Sequence, residues 1–207
     1  KFYDQGMSIH LAARDIEKLD AIAGEINAGL YQCDASKIDD VANLFSNLDS
    51  NIGTPDLVIY NPSSRLPGGI ADLDPHATLE SLKVTCFGAF LIAQQAASRM
   101  QKRGSGSIFF TGASAGVKAF PNSSVFAMGK FGLRALAQSL ARELHPQNIH
   151  IGHFVIDGGI TSNSTANKSV DRTLDPDAIA QTYLDFFKQH RSAWAWEIEL
   201  RPWVETF

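Results

Sequence analysis

Ser107-Ile108-Phe109-Phe110-Thr111 and His150-Ile151-Gly152-His153-Phe154-Val155-Ile156 are two short apolar runs separated by one long helical pattern over residues 123–144. A Gly/Ser/Pro-rich stretch follows the first run, and Pro146 marks the end of the helix before the second. Strand-length apolar runs that alternate with amphipathic helices build strand–helix–strand units, in which the strands lie parallel and the helix crosses over one face.

The same alternation extends in both directions. Ser8-Ile9-His10-Leu11-Ala12-Ala13 reads as a strand before a helix over 16–26. Gly29-Leu30-Tyr31-Gln32-Cys33 reads as a second strand before a helix over 38–48, and Asp56-Leu57-Val58-Ile59-Tyr60 as a third. A loop with Pro62, Pro67, Gly68 and Gly69 leads to a long helix over 77–101. Downstream, a polar loop over 161–175 precedes a last helix opened by Asp175-Pro176, where proline suits the first turn. The tail, 194–207, alternates enough to be an edge strand, and its Trp194, Trp196, Trp203 and Phe207 suit edge packing, a dimer contact or a pocket lid. The expected architecture is one α/β domain over 1–207, a doubly wound parallel sheet between two helical layers. Ligands of such sheets sit beyond the carboxyl ends of the strands, which points to residues 13–15, 34–35, 61–65, 111–116 and 157–162.

Composition agrees with a single globular domain: 207 residues, 44% of them apolar, with a formal net charge of −4. That charge gives no reason to expect nucleic acid, and the basic doublet Lys102-Arg103 falls at a helix end, where cations complement the dipole. Cys33 and Cys86 have no second cysteine or histidine at metal-ligand spacing and read as buried free thiols in a reducing compartment. The six histidines show no metal spacing either, so no metal site is expected. The longest apolar run, 86–93, is too short to span a bilayer, and the first residues are not a signal peptide. The expectation is a soluble cytoplasmic protein with neither a membrane nor a nucleic-acid partner.

Several stretches carry a family resemblance: Leu11-Ala12-Ala13-Arg14-Asp15 with Leu19; Cys33-Asp34-Ala35; Asn61 ending a strand; Phe126-Ala127-Met128-Gly129-Lys130 running on into Leu133-Arg134-Ala135-Leu136-Ala137; and Ile156-Asp157-Gly158-Gly159-Ile160. In their order and spacing, residues 8–162 resemble the short-chain dehydrogenase/reductase family. The resemblance implies a Rossmann-like fold and hydride transfer between NAD(P)(H) and an alcohol or carbonyl.

Two departures from the family pattern matter. The family begins with a strand and a glycine-rich turn whose amides receive the cofactor pyrophosphate at a helix N-terminus. This chain starts in what reads as the close of the first helix, with Gly6 as its C-cap. The missing strand is central in the doubly wound order, and unpaired backbone groups in the core cost on the order of 1–3 kcal/mol each. The resemblance therefore implies an upstream segment of roughly 20–30 residues. The second departure concerns the reaction residues. The family uses an Asn-Ser-Tyr-Lys set; here Lys130 stands at the lysine position, but the tyrosine position is Phe126, the serine position Ala113 and the asparagine position Thr85. A phenyl ring has no ionisable proton, so the family's proton transfer cannot run through Phe126.

The remaining family positions imply a nucleotide site. Lys130 would grip the nicotinamide ribose, or else is a helix lysine reaching solvent. Ala13 followed by Arg14 resembles members that take NADP rather than NAD, because a guanidinium pairs with the 2′-phosphate; a salt bridge from Arg14 to Asp15 or Glu17 is the other account. Asp34, with Ala35, matches the adenine contact, and an Asx turn or N-cap explains it equally well. Asn61 and Ile160 complete the cofactor-binding set. After Asn61 the family has Asn-Ala-Gly and this chain has Pro62-Ser63-Ser64. Ser114 is a substitute carbonyl-polarising group or simply a turn former, and Asp157 a substitute acid/base or a turn aspartate.

Two functions follow from the resemblance: an NADP(H)-dependent oxidoreductase acting on a small, unidentified alcohol or carbonyl through an altered site, or an inactive nucleotide-binding pseudoenzyme or interaction protein of the same fold. The helices over 77–101 and 123–144 carry apolar faces, including Leu79, Phe90 and Phe131, and family dimers form through the equivalent pair. A homodimer or homotetramer is expected.

Overall fold

The computed structural model describes residues 1–161 and 172–204. Phe207 and most of the 161–175 loop lie outside the described residues. The chain runs through β1 (His10–Ala13), α1 (Asp20–Ile26), β2 (Gly29–Gln32), α2 (Ile38–Asn51), β3 (Leu57–Tyr60), α3 (Pro75–Leu82) and α4 (Gly88–Arg103). It continues through β4 (Gly106–Thr111), α5 (Ser124–Leu144), β5 (Ile149–Ile156), β6 (Gly159–Ile160), β7 (Thr173–Leu174), α6 (Pro176–Phe187) and β8 (Glu197–Leu200).

β3, β4, β5 and β8 form one parallel sheet in that order. The two strands expected to be neighbours are so, with Leu57 opposite Ser107 and Tyr60 opposite Phe110. β1 and β2 form a second parallel pair, in register His10 to Gly29. Among the described residues β1 pairs only with β2, and β3 only with β4, so each presents one unpaired edge.

Side-chain alternation along the strands makes the three layers. Odd and even residues of a strand face opposite ways. Ile108 and Phe110 of β4, with Ile149 and Ile151 of β5, face a core shared with α2, α4 and α5 through Phe45, Ala96, Met100 and Leu133. Phe109, Phe154 and Ile156 face the other way, against Tyr183 and Phe186 of α6. Each such fully buried side chain contributes roughly 1.5–3 kcal/mol relative to exposure.

Several elements differ from expectation in ways with physical causes. The helix expected over 77–101 starts at Pro75, capped by Asp74, whose Oδ1 accepts the Ala77 amide at 2.7 Å. It is then interrupted by one widened π turn, Lys83–Phe87, before resuming as α4. The helix expected over 16–26 opens with a tight turn at Glu17–Leu19. The segment read as a helix end is a single turn, Tyr3–Gln5, closed by Gly6 in the left-handed region. The tail contributes only β8: Trp203 is exposed, while Trp194 stacks flat on His150 with ring centroids 4.5 Å apart. Cys33 is buried as expected, but Cys86 is only partly so. No helix among the described residues is long and apolar enough to cross a membrane.

Candidate active site

The first two turns of α5 bury Val125, Phe126, Ala127, Gly129 and Lys130. Phe126 and Lys130 are four residues apart and therefore share a helix face. Phe126 packs with Ala113 and Ala115 into a small apolar cluster just beyond the end of β4. Lys130 is 2% exposed, which rules out a solvent-reaching lysine. Its Nζ donates to the Thr111 carbonyl at 2.7 Å, its one hydrogen bond among the described residues. Burial, together with the positive charge of Arg65, pulls its pKa down to about 8.

Arg65 lies in the loop after β3, its guanidinium carbon 4.6 Å from the centre of the Phe126 ring. Lys130 Nζ lies 5.9 Å from the same centre, so two cations flank one phenyl group. Thr85 sits in the π turn, 1% exposed, and locks the Arg65 loop: its Oγ1 accepts the Ser64 amide at 2.9 Å. Interruptions of this kind recur at functional sites. A methyl on Gly129 would approach Thr85 Cβ to 2.9 Å, which shows how closely α5 meets the π turn. Thr85, Ala113, Phe126 and Lys130, the four positions to which the resemblance points, are therefore gathered around one end of α5.

The Ser114 carbonyl closes a turn, accepting the amides of Val117 and Lys118 at 2.9 Å. Asp157 is held by Lys118 at 3.0 Å and Arg201 at 3.3 Å, a structural ion cluster at the end of β5. Gly112 accommodates close approach: an added methyl would lie 2.4 Å from His153 Nε2 and 2.9 Å from the Phe154 carbonyl.

A second group lies at the ends of β1 and β2. Asp34 makes an Asx turn, its Oδ1 accepting the Ser36 amide at 3.0 Å and hydroxyl at 2.7 Å. That hydroxyl bond chiefly holds the Asp34 carboxyl below its usual range, against a desolvation cost, with Arg14 and Lys37 adding positive charge. Asp15 pairs with Lys18, not Arg14; the Arg14 side chain is exposed and makes no ion pair among the described residues. The half-buried Ala35 lies against the start of α4, where a methyl on Gly88 would come within 2.6 Å of its carbonyl oxygen. Asn61 is exposed just past β3, and Ile160 is 45% exposed in the small β6–β7 ladder.

The sequence pointed to 61–65 as a site loop without distinguishing Arg65, since nothing in the local pattern places a loop arginine on a ring sixty residues away. It also gave no sign of the network in which His153 Nδ1 and Arg134 both meet Glu197, at 2.9 and 2.6 Å.

Comparison with known proteins bears on family and fold. A family model described as short chain dehydrogenase matches residues 1–173. The (21S)-21-acetoxyl-apo-melianone synthase SDR of Melia azedarach is 30% identical over 185 residues, covering 87% of this chain and 67% of that one. Among solved structures, a short-chain dehydrogenase from Rhodopseudomonas palustris is 30% identical with a TM-score of 0.85, covering 98% of this chain and 90% of its own. An alcohol dehydrogenase from the archaeon Thermococcus sibiricus, solved with 5-hydroxy-NADP, shares the fold at a TM-score of 0.87 and 20% identity, with coverage of 99% and 90%.

Proposed function

The chain belongs to the short-chain dehydrogenase family, and from that premise we propose that it binds NADP(H) beyond the carboxyl ends of its strands and handles a small carbonyl or alcohol with an altered proton supply. The observation that carries this reading is Lys130: a buried ammonium with one backbone partner keeps N–H donors for ribose hydroxyls. Arg14, exposed and in no ion pair among the described residues, with its charge reaching Asp34, suits a 2′-phosphate. On this reading Asp34 and Ala35 would contact the adenine, and Asn61 and Ile160 would flank the nicotinamide half. A solved neighbour, the Thermococcus sibiricus enzyme, holds an NADP derivative. The cofactor supplies the hydride when bound.

What this chain's own residues do is position and exclude. Phe126 and Ala113 present carbon where the family presents hydroxyls, so the reacting oxygen gains neither an O–H donor nor a polarising serine. General acid/base groups contribute typically about 10²–10⁴-fold, and turnover by the family route falls accordingly. The apolar cluster of Ala113, Ala115 and Phe126 also favours a second reading, nucleotide binding without turnover.

One structural proposal accompanies this reading. Exposed Phe90 and Phe131, both 42% exposed, and Phe87, 40% exposed and stacked on Phe90, mark the contact of a soluble, cytoplasmic homodimer or homotetramer.

Fluorescence titration of the full protein with NADPH tests the function. Saturable binding is expected, weakened about tenfold or more by Lys130→Ala, the loss of one or two hydrogen bonds to a charged group. Absence of NADPH binding overturns it.

A further inference from the structure

Arg65 is held in place by its own loop. The Ser64 amide donates to Thr85 Oγ1, the Ser64 carbonyl accepts the Ser81 hydroxyl at 3.3 Å, and the Gly68 amide donates to the Asn122 carbonyl at 3.0 Å. The exposed guanidinium lies over the Phe126 ring, 4.6 Å from its centre. Four cations of this chain are held by acids: Arg99 by Asp49, Arg103 by Asp56, Lys118 by Asp157 and Arg134 by Glu197. Arg65 and Lys130 meet none among the described residues, although they are close enough for one charge to act on the other. The ring satisfies only the face of the guanidinium and leaves its in-plane N–H donors for an acceptor.

We propose that the small molecule seated against Phe126 carries a carboxylate, which Arg65 grips through those edge donors. A planar carboxylate matches the guanidinium fork, and its charge relieves two unneutralised cations at once. Resting on the reading above, this narrows the substrate class to oxo or hydroxy acids. The nucleotide's own phosphates are the competing anions. Arg65 lies beside Phe126 and Lys130, and Arg14 at the end of β1, so on the reading above phosphate recognition falls to Arg14.

The test compares benzoate with benzamide, nearly isosteric and differing in charge, by ligand-observed NMR on the full protein with and without saturating NADPH. Benzoate is expected to bind about tenfold or more tightly than benzamide, as a charge-assisted pair does. Arg65→Gln is expected to bring the two within about twofold at unchanged melting temperature and unchanged NADPH affinity, and Arg65→Lys to keep part of the preference. Equal affinities, no binding of either compound, or a preference that survives Arg65→Gln overturns the inference. So does a loss of NADPH affinity in Arg65→Gln, which would assign the residue to the nucleotide. Failure of NADPH to bind the wild type, with the Arg65-dependent preference intact, would remove the nucleotide reading and leave the carboxylate site standing.

Discussion

β5 and β1 are both parallel strands, yet every residue of β5 is buried and none of β1 is. β5 has β4 on one edge, β8 on the other, and helices on both faces. β1 has one neighbour, β2, and an open edge. A strand's burial is thus set by the completeness of its surroundings more than by its own apolar content. The proposed function divides along the same line. Phe126, Lys130 and Ala113 stand on the well-packed half, whereas Arg14, Asp34 and Ala35 stand at the thinly packed β1–β2 end. Ligand binding at that end should stabilise it most.

Truncating side chains gives the largest contrast. Phe109→Ala empties a site lined by Phe154, Tyr183 and Phe186 and should cost about 3–5 kcal/mol. Leu11→Ala, on half-buried β1, should cost about 1 kcal/mol or less. Urea midpoints at constant slope report both, and equal losses would abolish the distinction between the halves.

Acid sharpens the comparison by a smaller amount. His150 lies between Trp194 and Phe186, with centroids 4.5 and 4.9 Å away, and burial pulls its pKa from 6.5 to about 4. The native ring is therefore neutral, and the unfolded chain takes up the proton first as pH falls. Stability is full above about pH 6.5 and declines towards pH 4, with a loss of about 2 kcal/mol at pH 5 from this residue. Burial likewise lowers the pKa of His145 and His153, which adds loss in the same direction. His150→Phe should flatten the decline between pH 7.5 and 5 when chemical denaturation is repeated at each pH. A profile as steep as wild type would show that the stack does not govern it.

Much of the well-packed half was legible in sequence because strands covered on both faces read as nearly unbroken apolar runs, as in 107–111 and 150–156. The Phe126–Lys130 pair was legible through its four-residue helical spacing. The π turn was not, since one extra residue in a turn leaves the apolar rhythm of 77–101 almost unchanged. Arg65 on Phe126 was hidden because their contact depends on how a loop returns, and Glu197 with His153 because 44 residues separate them. Asp34 looked equally like a ligand and a turn residue, and its Asx turn leaves room for both.

Steady-state NADPH consumption with generic aldehydes and quinones tests the central claim, that carbon at positions 126 and 113 is what limits chemistry here. The wild type should be nearly inert, and Phe126→Tyr with Ala113→Ser should raise the rate by about a hundredfold or more. A phenol's ordinary pKa of about 10 must be lowered for work near neutrality, and the Lys130 ammonium one helical turn away does that. That ammonium titrates at about 8, so the gain should fade as pH rises through that value and vanish when Lys130→Ala is added. A double variant that binds NADPH yet stays inert, or a wild type already as fast as the double variant, would contradict the account.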